Sequence, residues 1–335
     1  MGTKDTLKFF DFCSGIGTGR LGLTNCNFEC VGYSEIDKDA IDTYKVFYGN
    51  KEKNYGDLMK IDLDELPDFD LMLAGFPCQT FSIAGTRLGF EDERGQIIFG
   101  LMRILQEKHT PYFILENVKG FLSHDGGNSF KNILESFDKL GYDVYWKVLN
   151  SIDFGVPQSR ERLYLIGIRK DIPHTPVDWS FSEVSGMSLR DCLAKFHEEK
   201  PIDIYSKSWQ NYLNNKHNKG RFSEEELLKE NYLIIDHRNS RMGLQRNKVT
   251  TLRRGNHDLF YVYHNQLYRV NGYHGLALQG FSKKYIQKAK KAKLNTNKLL
   301  SQAGNAMTIG VVTAVGNALL KSINAHNKET MAYGK

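Results

Sequence analysis

The segment Gly75-Phe76-Pro77-Cys78-Gln79 sets a cysteine directly after a proline at the end of a short apolar run, 71–74. A buried strand that stops there delivers Cys78 to the carboxyl edge of a parallel sheet, where open α/β folds bind ligands. A thiolate at such a place attacks electrophilic carbon. Many free cysteines are only small core hydrophobes, so Cys78 takes its chemical meaning from its company. Glu116 ends the apolar run 113–115 and is expected at a neighbouring strand tip. Arg160 and Arg162, two apart at the start of another run, are expected to share one face. A thiol, an acid able to hydrogen-bond a ring nitrogen and two guanidinium groups together suit a pyrimidine substrate.

A second constellation is the Gly-rich turn in Phe10-Asp11-Phe12-Cys13-Ser14-Gly15-Ile16-Gly17-Thr18-Gly19. It lacks the Gly-Lys-Ser/Thr ending of a phosphate loop. Glu35 follows the second apolar run, where a carboxylate takes a ribose diol. Gly56-Asp57 and, much later, Asn305 add to the set. The arrangement fits the adenosine of S-adenosylmethionine and of NAD alike, and the glycines alone do not separate them. A dehydrogenase would leave the nucleophile without a use.

The elements that must position these residues follow from the rhythm of the chain. Apolar runs at 7–13, 28–34, 71–74, 113–115, 144–149 and 163–168 alternate with amphipathic stretches, which predicts a doubly wound α/β domain with a mostly parallel sheet. The last two runs flank 153–157 without room for a crossover helix, so they are expected as an antiparallel hairpin at the sheet edge. After 170 the pattern becomes irregular, with one capped helix signalled by Ser223-Glu224-Glu225-Glu226. The expected organisation is a catalytic and cofactor-binding domain at 1–174, a second domain at 175–280, and a segment 281–335 whose apolar stretch 306–323 returns to the first sheet.

Composition sets the outer bounds. The chain has 335 residues, 41% hydrophobic and 25% charged, and its 45 Lys+Arg against 39 Asp+Glu give +6, a balance that permits a polyanionic partner. The distribution is more telling: Lys283, Lys284, Lys288, Lys290, Lys291, Lys293 and Lys298 form a run without acids, and Arg238, Arg241, Arg246, Lys248, Arg253 and Arg254 form another. Cys13, Cys26, Cys30, Cys78 and Cys192 make no Cys-x-x-Cys pair or Cys/His cluster, which argues against disulfides and zinc. Residues 1–6 are polar, without a signal-peptide core, and no apolar run approaches the ~18 residues of a membrane span. A cytoplasmic protein with no membrane association is the expectation.

In order, these segments resemble the motif set of the cytosine-C5 DNA methyltransferases of the bacterial restriction–modification type. The matching stretches are Asp-Phe-Cys-Ser-Gly-Ile-Gly at 11–17, Glu35, Gly56-Asp57, Gly-Phe-Pro-Cys-Gln with Phe81-Ser82 at 75–82, and Arg94-Gly95. Glu-Asn-Val at 116–118, Gln-Ser-Arg-Glu-Arg at 158–162, Leu278-Gln279-Gly280-Phe281 and Gly304-Asn305 complete them. The likeness covers about 7–170 and 263–320. The stretch 175–260, where the family places its target-recognition domain, resembles nothing general.

The resemblance implies a methyl transfer from S-adenosylmethionine to C5 of a flipped-out cytosine in a specific double-stranded DNA sequence, through a covalent bond from Cys78 to C6. Glu116 would hydrogen-bond N3 and the exocyclic amine, while Arg162 and Arg160 would steady O2. Asp11, Cys13, Gly15, Ile16, Gly17, Glu35, Ile36, Asp57, Leu58, Gly75, Pro77, Asn305 and Ala306 would line the cofactor. Gln79, Ser82 and Arg87, on a segment 79–95 closing over the base, would touch DNA. Sequence readout would fall to Arg241, Arg246, Thr251, Leu252, Arg253 and Arg254, since arginine pairs bidentately with guanine. A separately acting restriction endonuclease and a monomeric state belong to the same picture.

The chain departs from the family pattern in places. Cys13 stands where a phenylalanine often packs on adenine, Ala306 replaces a serine, Gly272-Tyr273-His274 replaces Pro-Arg-Glu, and Ala277 replaces a frequent arginine. Two other readings share the motifs: a tRNA cytosine-C5 methyltransferase, and a catalytically silent DNA-binding relative.

Overall fold

The structure, a computed structural model, describes residues 6–76, 96–182, 184–197, 200–255 and 258–333, with side chains to 325. It divides into two compact units: 1–149 with 161–182 and 307–335, and 150–160 with 183–306.

The first unit is built on a six-stranded sheet. Its strands are β1 (Lys8–Phe12), β2 (Glu29–Ser34), β3 (Leu71–Gly75), β4 (Tyr112–Val118) and β5 (Tyr142–Asn150). After β6 (Gln158–Ser159), which pairs elsewhere, comes β7 (Glu161–Arg169). The order is β2-β1-β3-β4-β7-β5. β1 lies parallel to both β2 and β3, β3 is parallel to β4, and β7 runs antiparallel to β4. Chain order reverses between β1 and β3, the topological switch point at which such sheets open a ligand crevice. Phe9, Phe10, Leu71, Met72, Leu73, Phe113, Ile114 and Leu115 are all fully buried, as strands covered on both faces require. A Cβ at Gly167 would lie 2.0 Å from the Phe113 ring that its strand faces across the β4–β7 register.

Helices α1 (Thr18–Thr24), α2 (Lys38–Tyr48), α3 (Gln96–Glu107) and α4 (Asn128–Lys139) connect the strands. α2 starts on Asp37, whose carboxylate accepts from the amides of Asp39 and Ala40, satisfying donors that the helix cannot.

The second unit joins 150–160 to residues far along the chain. β6 pairs in parallel with β10 (Val249–Thr250), while β8 (Ile234–Asp236), β9 (Gly243–Gln245), β11 (Leu259–Tyr263) and β12 (Gln266–Arg269) form an antiparallel sheet of order β12-β11-β8-β9. Its core gathers Trp209, Tyr212, Leu227, Ile235, Phe260 and Leu267. Helices α5 (Leu189–Lys195), α6 (Lys207–Leu213) and α7 (Glu224–Lys229) surround it, and the Ser223/Glu226 capping box forms as the sequence signals. α8 (Gly272–Leu278) meets α10 (Thr296–Asn305) closely enough that a Cβ on Gly272 would lie 2.3 Å from the Thr296 carbonyl oxygen; α9 (Lys283–Lys291) lies between them in sequence.

The units differ from the expected boundaries at 174 and 280. Residues 150–160 join the second unit because β6 pairs with β10, and 281–306 join it because α10 packs on α8. Only α11 (Ile309–Tyr333) returns to the first sheet's unit. There Gly22 leaves room for Val312, and the Thr313 hydroxyl donates to the Gly22 carbonyl at 3.0 Å. The stretch 296–325 is long and apolar enough to cross a membrane by length and composition, which the sequence reading did not expect. Most of it is buried in the protein and it breaks at 306–308, so core packing accounts for its apolarity.

His274 is fully buried on α8; its Nδ1 accepts from the Asn271 amide at 3.1 Å and its Nε2 lies 3.2 Å from the Leu193 carbonyl. Two such partners fix the neutral ring with the hydrogen on Nε2. Burial pushes its pKa down from 6.5 to about 4. The unfolded chain therefore takes up a proton that the folded one refuses, and stability present above 6.5 is lost as pH falls toward 4. Urea unfolding followed by tryptophan fluorescence is expected to show a falling midpoint between pH 7 and pH 4.5, with a smaller fall in His274→Gln.

Candidate active site

The turn after β1 is held from several sides. Cys13, Gly15 and Gly17 all have left-handed backbones, with φ of 51°, 55° and 75°, and for cysteine that conformation costs about 1–2 kcal/mol. The Ser14 amide donates to the Ser34 carbonyl at 3.1 Å, and the Gly15 amide donates to Glu35 Oε2 at 2.8 Å. Glu35 Oε1 accepts from the amides of Ile36 and Asp37. Asn54, which sequence reasoning passed over, fixes Glu35 by accepting from its amide at 3.1 Å and donating to its carbonyl at 3.1 Å. Its Oδ1 also takes the Gly56 amide, while Asp57 caps the short turn Leu58–Lys60 through the Met59 amide. The candidates Asp11, Ile16 and Leu58 are buried, whereas Ile36 is 70% exposed, an unusual position for a large apolar side chain.

Asp11 is fully buried: Oδ2 accepts the Arg20 amide at 3.2 Å, while Oδ1, like the Ser14 hydroxyl, has no hydrogen-bond partner. Burial pushes the Asp11 carboxyl up to about 8. Unpaired buried polar atoms are costly, and a bound group or water is one way of satisfying them.

At the end of β3, Gly75 stands in register with Glu116 on β4. A Cβ on Gly75 would lie 3.4 Å from Glu116 Oε2, at van der Waals contact with the acid. Glu116 is buried and pairs with Arg162, Nε to Oε1 at 3.2 Å. Asn117, also buried, donates from Nδ2 to the Phe76 carbonyl at 3.3 Å and accepts the Val118 amide on Oδ1. It thereby ties the end of the β3 chain to β4. Pro77, Cys78, Gln79, Ser82 and Arg87 lie outside the described residues.

Arg160 and Arg162 do not share a strand face: β6 ends at Ser159 and β7 begins at Glu161, with Arg160 between them. Arg160 belongs to the second unit and is 2% exposed. Its guanidinium donates to the carbonyls of Leu252 at 3.3 Å, Gly304 at 3.1 Å and Ala306 at 2.9 Å. Gln158 takes the Leu252 amide, and the Thr251 hydroxyl donates to the Ser159 carbonyl. Thr251 and Leu252 are thus fastened along β6, and Asn305 and Ala306 lie in the same unit at the end of α10.

The expected base-reading arginines fall into two groups. Arg246 forms a bidentate pair with Glu230 at 2.6 and 2.7 Å, which engages its fork. Arg241, Arg253 and Arg254 are exposed. Arg238, the neighbour not chosen as a reader, is drawn inward onto Asp236 and the Thr251 carbonyl.

Comparison with known proteins places these observations among relatives. Residues 7–321 match the family described as C-5 cytosine-specific DNA methylase. The type II methyltransferase M.NgoBI of Neisseria gonorrhoeae is 49% identical over 166 residues, 50% of this chain and 52% of that protein. The match thus spans about half the length of that relative. M.HaeII of Haemophilus aegyptius is 34% identical over 322 residues, 95% of this chain and 94% of that one. Among solved structures, the Dnmt2 methyltransferase of S. pombe superposes with a TM-score of 0.61 at 18% identity, covering 95% of this chain and 98% of its own. The Entamoeba histolytica methyltransferase EhMeth gives 0.63 at 17%, covering 95% and 99%. At those identities the likeness is one of fold.

Replacing Arg160 by methionine would leave three carbonyls without their shared buried donor, at a cost of about 2–4 kcal/mol. Urea unfolding is expected to show this loss in Arg160→Met; a midpoint equal to wild type would mean that the carbonyls find other donors.

Proposed function

This chain belongs to the C-5 cytosine-specific DNA methylase family, and from that premise we propose that it methylates C5 of a cytosine flipped out of a specific double-stranded DNA sequence. The observation that carries the reading is the ion pair of the buried Glu116 with Arg162, with Glu116 in register with Gly75 at the end of β3, three residues before Cys78 in the chain.

The methyl donor is S-adenosylmethionine, which supplies a sulfonium-bound electrophilic methyl. The residues fit it. The orphaned Asp11 Oδ1 and Ser14 hydroxyl offer polar partners in a buried turn, Glu35 keeps lone-pair capacity beside its three amides, and the exposed Ile36 offers an apolar face for a base. Cys13, Gly15, Ile16, Gly17, Asp57, Leu58, Gly75 and Pro77 complete that lining, with Asn305 and Ala306 as its contribution from the later chain.

Cytosine C5 is a weak nucleophile. Addition of the Cys78 thiolate to C6 forms a C–S bond and moves electron density to C5, while Glu116 hydrogen-bonds N3 and the exocyclic amine and so stabilises the adduct. Arg162 holds Glu116 and steadies O2. Once C5 carries the new methyl, loss of its proton to a base and breakage of the C6–S bond restore the aromatic ring and the thiolate. Such chemistry needs the base outside the stack, with Gln79, Ser82 and Arg87 beside it. Arg160 serves by holding the Leu252, Gly304 and Ala306 carbonyls. Arg241, Arg253 and Arg254 face the DNA, as does Arg246 if it exchanges Glu230 for a base. A restriction endonuclease acting separately on the same sequence is the partner this reading implies.

Cys78→Ala is expected to abolish methylation of plasmid DNA read by bisulfite sequencing, while S-adenosylmethionine binding persists. A duplex with 5-fluorocytosine at the target is expected to trap the wild-type protein covalently, because fluorine does not leave as a proton. Retained methylation in Cys78→Ala would overturn the mechanism, and absence of any methylated cytosine with the wild-type protein would overturn the function.

A further inference from the structure

Gly17 combines two demands rarely met at one residue. Its backbone is left-handed at φ 75°, and a Cβ there would lie 2.4 Å from Tyr48 Cε2 and 2.8 Å from Tyr44 Cε2. The tyrosine rings therefore occupy the space that any other side chain would fill. The Gly17 carbonyl is pinned twice, by the Leu21 amide at 3.1 Å, which opens α1, and by the Tyr48 hydroxyl at 2.6 Å. Gly17 itself offers α1 no capping side chain; Asp11 takes the Arg20 amide of the first turn, and Tyr48 restrains the turn through the Gly17 carbonyl.

Tyr48 is itself fixed. The Arg20 guanidinium lies 4.1 Å from its ring centroid and forms an ion pair with Glu52, whose side chain is only 5% exposed. Arg20 also donates its amide to Asp11 Oδ2. A single residue thus reaches the acid before the turn, the ring behind it and the buried Glu52. Tyr33, stacked on Tyr44 at 3.9 Å between ring centroids, backs the group from β2.

We infer that Arg20, Tyr48 and Glu52 form a brace that sets the cofactor turn 13–17 in its binding position, with Tyr48 a positioning residue for S-adenosylmethionine. The inference rests on the cofactor reading proposed above. Its chemical content is specific: the hydroxyl holds the Gly17 carbonyl, the guanidinium plane holds the ring, and Glu52 neutralises the guanidinium, which would otherwise place a positive charge behind a site for a sulfonium cation.

The test compares the full-length wild-type protein with Tyr48→Phe and Arg20→Lys, measuring the dissociation constant for S-adenosylmethionine by calorimetry and the thermal midpoint of each protein. Tyr48→Phe removes only the hydroxyl and is expected to weaken binding about three- to tenfold, the range for one hydrogen bond. Arg20→Lys keeps the charge but loses the planar stacking surface and is expected to weaken binding in the same direction. Wild-type affinity in Tyr48→Phe, even with a lowered thermal midpoint, would reduce Tyr48 to a packing residue and overturn the inference. Failure of the wild-type protein to bind S-adenosylmethionine would instead overturn the cofactor reading, and the brace's role with it. If Tyr48→Phe does not fold, equal affinity of Arg20→Lys and wild type overturns the inference alone.

Discussion

The turn between β1 and α1 places three left-handed residues within five, and such a backbone does not hold itself. Its conformation is unfavourable for cysteine and entropically disfavoured even for glycine. What keeps it in place is a ring of fixed partners: the Ser34 carbonyl, the Glu35 carboxylate and the Tyr48 hydroxyl. The first two depend in turn on the parallel register of β1 with β2, which brings Phe12 opposite Ser34, while Tyr48 reaches the turn from the end of α2. The sheet is therefore the source of the turn's geometry, and the candidate cofactor site inherits its precision from strand pairing.

The neighbouring strand ends pose a different problem, a charge pair taken out of water. Burying Glu116 and Arg162 is expensive unless each meets the other closely, and the antiparallel β4–β7 register does this by setting Val118 opposite Arg162, two residues from Glu116. The antiparallel pairing of β7 with β4 thus serves the proposed chemistry: a parallel β7 would present Arg162 at the opposite edge. The same pairing puts Gly167 under the Phe113 ring, so the strand that carries the arginine is locked by core packing five strand positions beyond it.

Much of the first unit was legible in the sequence. Runs such as 71–74 and 113–115 are short, apolar and punctuated, and they became β3, ending at Gly75, and β4, which runs two residues past Glu116 to Val118 because its pairing with β7 continues there. What escaped was long-range. Nothing local marks Asn54 as the partner of Glu35, or Tyr48 as the partner of Gly17, because each pairing is made by the packing of an element against a turn some twenty to thirty residues away. Arg160 and Arg162 misled for a related reason. Their spacing suggests one strand, but the chain leaves one compact unit and enters another between them, and spacing holds no record of that. Arg246 and Arg238 likewise read as basic surface until Glu230 and Asp236 were found beside them.

The contact between α1 and α11 sets the order in which the molecule can come into being. Gly22 and Cys26 meet Val312 and Thr313, residues nearly three hundred positions away. A chain emerging from the ribosome has its β1–α1 turn and the strands β3 and β4 long before it has the helix that seals α1 from behind. Contacts of such separation form late because loop closure must precede them. The helix that begins at Ile309 thus acts as the clasp of the first unit, and a nascent chain cannot seal α1 until the second unit has been synthesised in full.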